Sequence, residues 1–77
     1  MAVYLMIFES KQSKSTLSEI ADTPKDVIKY CGRILAEDEY RISKILKVNI
    51  ETLIVDECYL RLTNSELHLE EPEDLPF

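Results

Sequence analysis

The sequence predicts a small α+β domain, with one amphipathic helix packed on an antiparallel sheet in the order β-β-α-β-β-β. Three observations carry this expectation. Residues 24–37 place one apolar stripe at helical spacing behind an N-cap signal. Residues 2–8 form an unbroken run of strand formers, and residues 40–70 alternate apolar and polar side chains with turn signals at two breaks. The chain has 77 residues, 45% of them hydrophobic, which fits one core when domains usually run to about 100–200 residues. A single domain is therefore expected rather than a multidomain enzyme.

In the first strand, Val3, Leu5 and Ile7 point to one side while Tyr4, Met6 and Phe8 point to the other. A strand apolar on both faces is either central or has its second face covered by a partner. The segment Glu9–Ser15 has no apolar residue and reads as a loop, and Thr16–Ala21 fits a short strand or a helical turn, the strand being preferred. The helix follows from Pro24 to Glu37. Thr23 suits the N-cap, Pro24 the first helical position, and Asp26 approximates a capping box. Val27, Ile28, Cys31, Ile34 and Leu35 make the buried stripe, leaving Lys25, Lys29, Arg33 and Glu37 to water. Gly32 beside this stripe costs about 1 kcal/mol relative to Ala, and is expected to permit a close approach to the sheet.

From Tyr40 the period shortens. Tyr40, Ile42, Leu46 and Val48 alternate, and Thr52–Thr63 favours a strand through Ile54, Val55, Tyr59 and Thr63. A three-residue turn at 49–51 pairs Val48 with Thr52, Leu46 with Ile54, Lys44 with Asp56, Ile42 with Cys58 and Tyr40 with Leu60. That register leaves Ile45, Leu53 and Val55 on the opposite face, near Tyr59. Asn64-Ser65 is a second turn, since Asn tolerates positive φ in a tight hairpin. It pairs Leu62 with Leu67, Leu60 with Leu69, Arg61 with His68 and Tyr59 with Glu70. The domain is expected to span residues 1–70, followed by an acidic tail at 71–77. Two prolines and several acids are expected to leave that tail extended or disordered.

The net charge of −6 is unevenly placed: residues 1–49 carry +1 and residues 50–77 carry −7. Direct binding to nucleic acid is disfavoured, because phosphate contacts need clustered Lys and Arg. An acidic surface instead favours a basic patch on another protein. No segment approaches the ~18 apolar residues that span a bilayer. The opening lacks a basic region and a small-residue cleavage site, so the expected compartment is the cytoplasm and no membrane contact is expected. Cys31 and Cys58 form no Cys-x-x-Cys pair and read as reduced core residues.

Catalytic signals are weak. His68 is the only histidine and lies between Glu66 and Glu70 with no nucleophile beside it. Asp56-Glu57 and Glu37-Asp38-Glu39 lack the spacing of a calcium loop, so neither a metal nor a cofactor is expected. Thr16-Leu-Ser-Glu-Ile-Ala21 resembles the opening of a helix-turn-helix, but Lys25, directly after Pro24, stands where such families place the turn glycine. A DNA-binding regulator built on 16–36 is therefore the lesser expectation.

What remains is binding without enzymatic chemistry. The expected partner surface comprises Ile45, Leu53, Val55 and Tyr59 on the outer face of the sheet. Glu66, Glu70, Glu71, Glu73, Asp74, Leu75 and Phe77 extend it along the acidic end. Such a module would occupy a basic, nucleic-acid-binding surface of a larger protein, as small acidic anti-defence proteins of phages and mobile elements do. That parallel rests on size and charge alone. The alternative is a homo-oligomeric module that buries the apolar face of the first strand, or the Ile45–Val55 strip, against a symmetry-related copy.

Overall fold

A computed structural model of the chain describes residues 1–71. It contains β1 (Ala2–Ser10), β2 (Thr16–Ala21), α1 (Pro24–Glu37), β3 (Tyr40–Asn49), β4 (Val55–Thr63) and β5 (Glu66–Glu70). The strands form one antiparallel sheet in the order β2-β1-β3-β4-β5, which is the predicted α+β class. Helix α1 covers one face. Between them lie Tyr4, Met6 and Phe8 of β1, Ala21 of β2, Val27 and Cys31 of α1, Ile45 of β3 and Cys58 of β4. Both cysteines are free thiols, and burial pushes the Cys31 thiol up to about 11.

The helix begins and ends where local chemistry dictates. Thr23 is extended at φ −132, and its Oγ1 accepts the Asp26 N–H at 3.2 Å. Asp38 ends the helix in the left-handed region at φ 57, donating its N–H to the Leu35 carbonyl at 3.2 Å. Its carboxylate pairs with the Lys11 ammonium, which holds the Asp38 carboxyl below its ordinary pKa. Lys11 also donates its backbone N–H to the Glu39 carbonyl at 2.9 Å. The β1–β2 loop is thereby fastened to the end of α1. The Thr16–Ala21 segment is a strand, so it does not supply the first helix of a helix-turn-helix.

The β4–β5 hairpin has the predicted register, with Leu62 opposite Leu67 and Arg61 opposite His68. Asn64 and Ser65 both adopt positive φ, 51 and 65, matching the right-handed twist of the flanking strands.

The β3–β4 pairing differs from expectation. Val48 faces Val55 and Ile45 faces Cys58, while Lys47 rather than Lys44 opposes Asp56. The cause is a longer turn. Asn49 donates its N–H to the Ile54 carbonyl at 2.9 Å, and its Oδ1 accepts the N–H groups of Glu51 and Thr52 at 2.9 and 3.1 Å. Thr52 is thus drawn into the turn instead of the ladder. The slip is odd-numbered, so it exchanges the faces of β3 relative to β4. A bulge then restores parity further along: Ile7 faces Lys44 but Phe8 faces Ile42, leaving Ser43 as the extra residue. Tyr40, Ile42 and Ile45 therefore share the core face, and Leu46 and Val48 turn to the other. Ile45, expected on the outer strip, is 1% exposed in the core.

Gly32 does lie against the sheet, but not tightly. A Cβ built there would sit 3.8 Å from Leu67 Cδ1, an ordinary contact. Gly32→Ala should therefore stabilise the fold by about 0.5–1 kcal/mol, through helix propensity and a less free unfolded chain. Urea unfolding of the two proteins measures this, and a lower midpoint for the alanine variant would refute the assigned helix–β5 spacing.

Candidate functional site

A single helix leaves the second sheet face without a covering element among the described residues. Across that face run two apolar rows, Ile20–Leu5–Leu46 and Val3–Val48–Val55, with Ile7 beside them. The central side chains are half-buried by their neighbours, whereas Ile20 is 63% and Val55 52% exposed. Tyr59, half-exposed, extends the patch along β4. Grouped apolar exposure of this kind marks interfaces more often than scattered surface leucines do.

The β3–β4 turn adds apolar side chains at one end of the sheet. Leu53 is held in the left-handed region at φ 59 and is 75% exposed. That conformation costs a non-glycine residue about 1–2 kcal/mol. The Leu53 N–H, donated to the Asn49 carbonyl at 2.8 Å, helps to hold it there. Ile50 and Ile54 are exposed beside it, and Ile50 donates its N–H to the Met1 carbonyl at 3.0 Å.

Acids line the opposite margin. Glu57 shares the open face of β4 with Tyr59, and Glu66, His68 and Glu70 occupy that face of β5. The Glu57 carboxylate raises the Tyr59 phenol above its ordinary pKa by its charge and by a hydrogen bond. Glu70 is bound by Arg61 at 2.9 Å, and Glu66 lies 4.0 Å from His68 Nε2. Glu71, expected in a free tail, is engaged within the fold. It accepts a hydrogen bond from the buried Tyr4 hydroxyl and pairs with Lys47 at 3.2 Å. Burial first, and Glu71 second, push the Tyr4 phenol up to about 12.

The structure thus brings Val55, Tyr59, Glu66 and Glu70 to one face and Leu53 to its end, while Ile45 and Glu71 turn inward. Glu73, Asp74, Leu75 and Phe77 lie outside the described residues. Ile20, Leu46 and Val48 belong to the patch but were not anticipated. The signal that could have found them is the double apolarity of β1, whose outward row needs apolar neighbours on both flanking strands.

Two surface clefts accompany the patch. One, about 280 Å³, opens between residues 42–45 of β3 and 57–60 of β4. The other, about 260 Å³, lies at the polar β1–β2 loop beside Lys14 and Arg41. Among the described residues no group of three or more His, Cys, Asp or Glu could hold a metal ion, and no helix is long and apolar enough to cross a membrane. Comparisons with protein-family models, curated proteins and solved structures found no match.

The Tyr4 phenol titrates higher folded than unfolded, so its contribution to stability is complete below pH 10 and is lost as pH rises towards about 12. Tyr4→Phe should cost about 1–2 kcal/mol at neutral pH. The gap between the two proteins should narrow from pH 10 to 12 in denaturant titrations. Parallel stability curves over that range would disprove the Tyr4–Glu71 linkage.

Proposed function

We propose that this chain is a protein-interaction module that docks through its open sheet face onto a larger protein. The contact surface of that protein is apolar at its centre and basic at its margin. The observation that carries this reading is the pair of apolar rows, Ile20–Leu5–Leu46 and Val3–Val48–Val55, left uncovered among the described residues beside Tyr59. The acids Glu57 and Glu66 along one margin support a basic partner, Glu70 beside them being paired with Arg61. Action would be by occupancy: a partner whose basic surface serves nucleic acid would be blocked by steric and electrostatic competition. No reaction is assigned to the chain.

Ile20→Asp and Val55→Asp test the docking face, because both side chains are exposed and neither belongs to the core. A partner recovered from source cells should bind each variant at least about tenfold more weakly, as expected for truncating a buried anchor. Its affinity for the wild type should fall as salt rises. Wild-type affinity in the double variant would refute the proposal. A stable dimer by light scattering, dissociated by the same substitutions, would replace it with the homo-oligomeric reading.

A further inference from the structure

The fork between β3 and β4 has a feature that the open face lacks: it dictates the conformation of what would fill it. The β3–β4 ladder runs only from Val48–Val55 to Ile45–Cys58. Beyond it β4 continues as a strand and pairs with β5 over Tyr59–Thr63, while β3 continues towards Tyr40 against β1. The two strands separate at Cys58, and the cleft of about 280 Å³ lies at that separation. Its volume is just below the roughly 300–1,000 Å³ of typical ligand pockets.

The two edges facing this fork are not equivalent. That of β3 is interrupted by the Ser43 bulge, a device that blunts pairing. That of β4 is regular over Tyr59–Thr63, so every second residue presents its N–H and C=O towards the gap without a ladder partner among the described residues. Leu62 has the same strand parity as Cys58 and Leu60, yet it is 68% exposed at this edge. Tyr59 is half-exposed on the other side of the strand.

We propose that β4 is a strand acceptor: an extended, proline-free segment of a partner protein pairs antiparallel with Tyr59–Thr63 and seats alternate apolar side chains beside Leu60 and Leu62. This deepens the interaction reading, on which it rests, by naming the conformation and side-chain pattern of the bound segment. Main-chain hydrogen bonds would supply affinity and the cleft would select the side chains. The chain's own C-terminal segment is a poor competitor. It carries two prolines in six residues, which cannot donate to a ladder. Glu71, from which it departs, is tied to Tyr4 and Lys47.

The test selects linear twelve-residue peptides from a displayed random library against the full-length protein, then N-methylates single backbone amides of the best binder. Expected are enriched sequences that alternate apolar and polar residues without central proline. Methylation at alternate amides should weaken binding at least tenfold, whereas methylation at the intervening amides leaves it within twofold. Amide shifts in the labelled protein should centre on residues 59–63. Failure to enrich any peptide, or equal tolerance of methylation at every position, would overturn the proposal. Shifts centred on Val3, Leu5 and Val48, with binding lost in Val55→Asp, would overturn strand acceptance while leaving face docking intact. A dimer that peptides dissociate would overturn the assignment of the occupant to another protein.

Discussion

The architecture depends on one unequal match: a single helix against a five-stranded sheet. Fourteen helical residues make a rod about 21 Å long and 10 Å across. Five strands spaced about 4.8 Å apart span roughly 19 Å in width. The helix therefore covers one face in part, sealing Val27 and Cys31 against Met6, Phe8 and Ile45, all essentially inaccessible to water. No second helix among the described residues balances it. The outward row of β1 is half-buried only because β2 and β3 place Ile20, Leu46 and Val48 beside it. The open apolar face follows from this arithmetic of coverage more than from any single residue.

The same mismatch is met by dividing β4 between two ladders. Its first four residues extend the sheet from β3, and its last five hold β5. In this way the hairpin can follow the helix while the sheet remains anchored, and Leu67 comes to rest beside Gly32. The opening between β3 and β4 is the geometric consequence. Glu71 partly compensates by reaching back over the sheet to Lys47 and Tyr4, so the end of the hairpin is tied to the two central strands by charge and by a buried phenol.

Features governed by neighbours in sequence were legible without coordinates. Thr23, Pro24 and Asp26 announced the helix start, and Asn64-Ser65 announced a two-residue hairpin whose leucine pairs left one register. The β3–β4 register was not legible, because Asn49 can close a three-residue turn or cap a longer one with its side chain. Tertiary hydrogen bonds decide between them, including the tie from Ile50 to Met1. The Ser43 bulge leaves no compositional trace. Together these moved Ile45 from the outer strip to the core and brought Leu46 and Val48 outward. Glu71 was misplaced for a related reason: its partners, Tyr4 and Lys47, are remote in sequence, and acidic neighbours made it look like tail.

The charge asymmetry also changes meaning once the acids are located. Between residues 50 and 71, Glu51 is near the Met1 ammonium, Glu70 binds Arg61, and Glu71 binds Lys47. Asp56 stands opposite Lys47 in the ladder. Much of the local negative charge is thus spent on contacts within the fold; the exposed Met1–Glu51 pair is worth only about 0–1 kcal/mol, whereas Lys47 and Glu71 are largely shielded from water. Glu57 and Glu66 remain on the margin of the open face, a modest outward field for a chain of net charge −6. For the proposed docking, electrostatics would steer a basic partner and set its orientation, while burial of Ile20, Val55 and Tyr59 would supply most of the affinity. An acidic composition first suggested a protein that binds by charge. Under the proposed reading it binds by an apolar face and uses charge to find its partner.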